Sequence, residues 1–498
     1  MTDWTRVPVV VGAGQVTNRD EDPATAPDPL ELMARASTEA LAGAGTDVGS
    51  AGISHCWMVH SLSLRHGDPA PVLAERLGIT GAETRCSGMG GNIPQWLVNR
   101  AAELVVAGGQ PRVLVAGAEA LATRKRARKA GIELDWPSAP GWPETWPPME
   151  PDVGVHPVER AHGLEAATTM YALVETALAH AQGHDPATQR RVMGELMERF
   201  NAVAAANPLS WFPTRRHGAE ITTVTAENRM ISFPYPKYLN AVMDVDMGAA
   251  VVVTDAATAR SWGLGADEVA YIGGWADAHE IWYLSQRPRV HTAPALVECA
   301  RSAFSSAGTA VDEVGAFDLY ACFPSSVEVA RDSFGIASDD PRPLTLTGGL
   351  QYHGGPGSNY VTHSVANSLQ WLRDGHGDAT LVHGNGYYLT KQAVGIYSRR
   401  PPQAVPEPPD GLQERIDAQS SPVAVEESFS GPGTILAYTV TYDRDGAPGP
   451  GVMVVDLGDR HTLARTDPAA GAALVADDAV GHEVTVSVSD AGNLARLA

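Results

Sequence analysis

The sequence predicts an α/β protein of two similar halves, with an inserted domain between them and a small antiparallel β-barrel after them. Three observations carry this. Two stretches repeat at a nearly fixed offset, a Trp- and Pro-rich excursion interrupts the repeat, and the apolar pattern changes to period two after residue 420.

The first repeated unit is EALAGAGTDVGSAGISHCWMVHS, whose counterpart is ECARSAFSSAGTAVDEVGAFDLYACFPS, with Gly45 matching Gly308. The second is CSGMGGNIPQWLVNRAAELVVAGGQPRVLVAGAEA, which superposes without gaps on HGGPGSNYVTHSVANSLQWLRDGHGDATLVHGNGY. Asn92 falls on Asn359, Val98 on Val365, Gly108 on Gly375, Leu114 on Leu381 and Gly117 on Gly384. Each copy supplies a Gly-rich loop, a helix and a short apolar strand (RVLVAG, ATLVHG), the pattern of a buried sheet covered by helices. The match puts Cys86 and His353 at equivalent positions, expected near one interface between the halves.

Within the second loop, Gly348, Gly349, Gly354, Gly355 and Gly357 free the backbone for positive φ, and Val361, Val365, Leu369 and Leu372 form one helical face. Free N–H groups at such a helix start attract anions or a developing oxyanion. The loop lacks G-x-G-x-x-G spacing and a following G-K-[ST], which excludes both standard nucleotide-phosphate cradles.

Residues 121–235 break the repeat with WPSAPGWPETWPPMEPD and helical segments around 160–183 and 186–206, expected as a loop domain of the lid type. MGAAVVVTDAA (247–257) reads as the closing strand of half one. The expected division is 1–120 with 236–260 as the first half, 121–235 as the loop domain and 261–400 as the second half. A Pro-rich linker follows over 401–420, then a barrel over 421–498.

The 498 residues are 44% hydrophobic and 19% charged, enough for a large core, and the formal net charge is −22. That balance excludes nonspecific nucleic-acid binding and docking on anionic lipid. The start, MTDWTRVPVVVGAGQV, has no basic region followed by an apolar one, so a cytoplasmic location is expected. Four cysteines (Cys56, Cys86, Cys299, Cys322) without a C-x-x-C indicate neither a disulfide framework nor a structural zinc site.

The N-terminal VPVVVGAGQVTNR, the YACF segment, the GGLQYHGGPG loop and the GNG turn, in this order across duplicated halves, resemble the thiolase superfamily, nearest its sterol-carrier-protein-type branch. The resemblance covers residues 5 to 400. It implies a five-layered α-β-α-β-α fold with a loop domain, carrying here an extra OB-like barrel. It also implies an acyltransferase class of activity on acyl-CoA thioesters in lipid metabolism, with no tightly bound cofactor, and a homodimer unless the appended domain leaves a monomer.

Thiolases use an acylated cysteine at a helix start, a histidine of a GHP loop, an Asn or His of an NEAF or HDCF segment and a cysteine of a CxG turn. On this sequence the nucleophile position falls on Gly91, with Cys86 five residues early, and the loop histidine on His353, with Gly355 as the competing alignment. Tyr320 leads the HDCF-like segment, before Cys322. Val382 replaces the CxG cysteine beside His383, followed by Gly384, Asn385 and Gly386.

The candidate catalytic groups are therefore His353, Cys86, Tyr320 and His383, with Gly91, Asn92, Tyr352, Gly384, Asn385 and Gly386 as oxyanion or loop positions. The run TRKRARKAG offers Arg124, Lys125 and Arg126 for coenzyme A phosphates, and Arg215 with Arg216 form a smaller basic pair. Loss of the second cysteine argues against a full thiolase cycle. Two alternatives stand beside an acyltransferase: a thiolase-fold retro-aldolase working through tyrosines, and a non-catalytic scaffold that binds coenzyme A thioesters.

Overall fold

The computed structural model describes residues 2–497 except 151, 153, 477 and 491. Nine strands form the main sheet: β1 (Pro8–Thr17), β2 (His55–Met58), β3 (Glu83–Cys86), β4 (Val113–Ala120), β5 (Asp246–Asp255), β6 (Ala270–His279), β7 (Ala316–Asp318), β8 (Ala379–Gly386) and β9 (Lys391–Ser398). Their spatial order is β3-β2-β4-β5-β1-β6-β9-β8-β7. The order mirrors about the seam between β1 and β6, where Val9 pairs with Tyr271 and Val10 with Ala270.

Every residue of β4 and β5 is buried, which requires cover on both faces. Helix α1 (Pro29–Gly43) packs on β1, β4 and β5 from outside. Its start is set by Asp28, whose side chain accepts from the Glu31 N–H, and by Pro29 at the first helical position. Helices α2 (Ile93–Ala107) and α4 (Tyr360–Arg373) touch each other and strands of both halves, and α3 (Pro294–Ala307) covers β6 and β9. The layers are thus α-β-α-β-α. Helices α2 and α4 begin directly after Asn92 and Asn359, the pair matched in the repeat.

The insertion carries helices Pro157–Ala161, Ala167–Ala181 and Pro186–Ala206. In Ala167–Ala181, ten consecutive residues from Thr169 to Leu178 are buried. A helix apolar on all sides needs neighbours on all sides. It lies between the helix Pro324–Ser333 of half two and the C-terminal barrel, so this part of the insertion is core and not a free lid.

The barrel consists of β10 (Gly431–Tyr442), β11 (Pro448–Asp456), β12 (Arg460–Arg465), β13 (Glu483–Ser489) and β14 (Gly492–Leu497). Pairings β10–β11, β11–β12, β12–β14, β14–β13 and β13–β10 close it. Ser232 of the insertion pairs with Thr441, Phe233 stacks on Tyr438 at 5.8 Å, and Thr176 Oγ1 donates to the Tyr438 carbonyl at 2.8 Å. The segment before the barrel is more than a spacer: its helix Leu412–Asp417 buries Leu412 and Ile416 against α3.

The edge strand β3 is covered by the Trp/Pro-rich strap. Thr145 bridges Cys86, the Trp146 N–H donates to the Cys86 carbonyl at 2.9 Å, and the Trp146 ring sits 5.1 Å from Trp57 and 4.8 Å from Trp96. Among the described residues no helix is long and apolar enough to cross a membrane.

Candidate functional site

The start of α2 and the end of β8 meet at the junction of the halves. Side chains alternate along β8, so Gly384 and Gly386 face α2 while His383 and Asn385 face away. A Cβ on Gly384 would lie 2.9 Å from Asn92 Cα, and one on Gly386 would lie 2.2 Å from Asn92 Oδ1. The duplicated contact is present too: Asn359 Nδ2 donates to the Gly117 carbonyl at 2.6 Å, and a Cβ on Gly117 would lie 2.3 Å from Asn359 Oδ1. Glycine is required at these positions because backbone meets side chain there.

Gly91 is brought to the same place, and over it stands Tyr320, just beyond the end of β7. A Cβ on Gly91 would lie 2.1 Å from Tyr320 Oη. Tyr320 makes an edge contact with Tyr360 at 5.8 Å. Burial, with a smaller contribution from Cys322, raises the proton affinity of its phenol, so it is a hydrogen-bond donor at neutral pH.

His353 is buried on the far side of this contact. Its ring lies 6.1 Å from Tyr360 and 5.1 Å from His363, and its Nδ1 is 3.2 Å from Ser210 Oγ. Its Nε2 has no partner among the described residues, and burial together with His363 keeps the imidazole neutral. The Tyr352 hydroxyl is likewise buried without a partner among the described residues. His383 pairs through Nε2 with Gln392 Oε1 at 2.9 Å and meets Phe334, and burial lowers its pKa to about 4. Asn385 Nδ2 donates to Tyr171 Oη at 2.8 Å and to Ser326 Oγ at 3.1 Å.

Cys86 is separate from this group. It ends β3, lines a different cleft, and its thiol is pushed up to about 12 by burial and by Asp68, which leaves little thiolate. No contact among the described residues links it to His353, so the equivalent sequence positions do not become one interface.

The basic groups are mostly engaged internally. Lys125 pairs with Asp244, and Arg126 with Asp246 at 2.8 Å, because their helix, Leu121–Ala130, follows β4 and lies beside the start of β5. Arg124 donates to the Leu62 carbonyl at 2.8 Å. Arg215 pairs with Glu198 and Arg216 with Glu220. None of five clefts and cavities among the described residues is lined by Gly91, Tyr320, His353 or His383.

With the geometry in hand, comparison with solved structures decides the family. The crystal structure of a monomeric SCP2-thiolase like protein type 1 from Mycobacterium smegmatis is 33% identical, with a TM-score of 0.83, over 99% of this chain and 100% of that one. This chain belongs to the SCP2-thiolase-like protein type 1 family. The Thiolase-like protein type 1 additional C-terminal domain family matches residues 411–491, which cover the helix Leu412–Asp417 and barrel strands β10 to β13 and end just before β14. An Ltp2-ChsH2(DUF35) aldolase shares the fold at 17% identity and TM-score 0.59, over 79% of this chain and 98% of that one. Human mitochondrial 3-ketoacyl-CoA thiolase, solved in complex with CoA, shares it at 14% and 0.53, over 79% and 98%. No curated protein matches by sequence.

In this thiolase-like chain, sequence reasoning missed a polar cluster beside Gly90. Lys391 Nζ donates to the Met89 carbonyl at 2.8 Å and pairs with Glu150 at 3.2 Å, and Tyr387 Oη donates to Glu150 at 2.7 Å. Lys391 also lies 4.3 Å over the Tyr387 ring. Burial lowers the Lys391 pKa while Glu150 opposes the shift. Nothing local in the sequence marks it; in the structure Tyr387, directly after β8, takes φ 57°, a left-handed conformation uncommon for a non-glycine residue.

Proposed function

We propose that this SCP2-thiolase-like chain takes acyl-CoA thioesters of lipid metabolism at the junction of its halves and handles them without an acyl-enzyme. The contact of Tyr320 Oη with the space above Gly91 carries the reading. A thiolase cycle stores the acyl group on a thiolate at the helix start; here that position has no side chain and a phenol fills its space. The groups at hand are proton donors: Tyr320, and Lys391 held by Glu150. Such donors hold a thioester carbonyl oxygen and strengthen their hold as charge develops on it. The shared fold with a thiolase solved with CoA supports the ligand class.

A second reading is favoured by Tyr320 itself. In a retro-aldol cleavage of a β-hydroxyacyl thioester, a base takes the hydroxyl proton and the Cα–Cβ bond breaks. The β-carbon leaves as an aldehyde or ketone, the electron pair passes to an enolate whose oxygen a neutral phenol stabilises, and the base returns its proton to Cα. The aldolase of the same fold gives this reading its precedent.

Calorimetric titration of coenzyme A and acetyl-CoA, followed by intact-protein mass spectrometry, tests the proposal. Saturable binding with no acetyl adduct is expected. An adduct on Cys86, or no binding, overturns it. Release of an aldehyde or ketone from a β-hydroxyacyl-CoA, lost in Tyr320→Phe, would select the second reading.

A further inference from the structure

A second cleft, of about 480 Å³, lies at the carboxyl ends of the mutually parallel strands β2, β3 and β4. Met58 and Cys86 form its floor, the loop after β2 one wall and the strap another, and Arg124 enters from the helix that follows β4. Its size suits a small molecule, and the carboxyl ends of parallel strands are where α/β sheets take ligands.

Two independent observations point to what it takes. His60 is 4% exposed and lines the cleft, yet neither ring nitrogen has a partner among the described residues. A buried imidazole that finds no protein partner presents a donor to whatever enters. At the rim, neither Arg124 nor Arg65 forms an ion pair among the described residues, in a chain where Lys125 and Arg126 beside them are both engaged by carboxylates. The loop is already rigid. Glu119, fully buried, accepts from the Leu62 N–H at 2.7 Å and from the Ser63 N–H and hydroxyl at 2.8 and 2.6 Å. Over the opening, Trp142 is 80% exposed with its ring roughly parallel to His60 at 6.3 Å. Asp68, next to Pro69 of the lining, and Glu119 behind the loop are the acidic groups nearby, and they disfavour a second negative charge on the ligand.

The geometry points to a binding site for a small monocarboxylate with a short alkyl or aromatic body. The carboxylate meets Arg124, Arg65 and the His60 N–H, and the body lies between Met58 and Trp142. This site is separate from the Gly91–Tyr320 junction and stands whether or not a thioester binds there.

Benzoate and hexanoate, with the neutral benzamide and hexanamide as controls, are titrated into the full chain by calorimetry. Saturable binding of at least one acid is expected, with its amide at least tenfold weaker. His60→Leu and Arg124→Gln should each weaken the acid at least tenfold. Because Arg124 also holds the Leu62 carbonyl, Arg65→Gln serves as a variant at an exposed side chain without intramolecular partners among the described residues, and a severalfold loss is expected. Absence of saturable binding, equal binding of acid and amide, or unchanged affinity in a folded Arg65→Gln and His60→Leu protein overturns the proposal. Competition by coenzyme A for the same acid would also overturn it, since it would merge the two sites.

Discussion

Tyr320 occupies the space that a side chain at position 91 would need: its Oη lies 2.1 Å from where a Gly91 Cβ would stand. Restoring a cysteine alone therefore forces overpacking. Gly91→Cys should lower stability by about 1–3 kcal/mol in urea unfolding. Gly91→Cys with Tyr320→Ala should lose less than the two single variants summed, since removing the ring makes room for the thiol and the thiol fills part of the cavity left by the ring. Additive losses would mean that the two positions do not share the space.

Acidification should unfold the protein through its neutral core histidines. The His383 pKa is lowered from 6.5 to about 4 by burial, and that of His363 to about 3. Below pH 6.5 the unfolded chain therefore binds protons that the folded chain refuses, and stability falls with falling pH until the folded value is passed. For His383 the loss between pH 6.5 and 4 is on the order of 3 kcal/mol. Urea midpoints across that range should fall, and His383→Gln should flatten the slope; an unchanged slope would show that His383 protonates freely.

The Lys391–Glu150 pair should be asymmetric to mutation. Glu150→Gln leaves Lys391 its bond to the Met89 carbonyl, whereas Lys391→Met removes both interactions. The second should cost about 1.5–3 kcal/mol, as for hydrogen bonds to charged groups, and the first clearly less. Equal losses in thermal or urea unfolding would contradict the geometry.

The covered edge of β3 predicts a monomer. Light scattering after size exclusion should give a single species near 52.5 kDa at micromolar concentration. Shortening the strap around Thr145 and Trp146 should expose the strand and produce dimers or larger species.

Much of the architecture was readable because the duplication preserves length. The gapless match of Asn92 to Asn359 placed both central helices, since a helix spanning a sheet tolerates no insertion. The junction glycines followed from the same match. What stayed hidden depends on contacts that no local pattern encodes. Tyr320 reaches Gly91 from the other half, and Lys391 meets Glu150 across 241 positions. The internal pairing of Lys125 and Arg126 within the basic run was likewise hidden, because Asp244 and Asp246 approach them only after β5 is paired. The equivalence of Cys86 and His353 misled for a related reason: matching positions diverge where the loops before the helices differ.

Thr176 waits a long time for its partner. Its hydroxyl bonds Tyr438, 262 residues later, and the buried helix around it takes one wall from the barrel. At ribosomal speeds of about 5–20 residues per second, that wall is missing for roughly 13–52 s of synthesis. During that interval the nascent chain displays an uncovered apolar helix, which is closed only when the barrel strands emerge and pair.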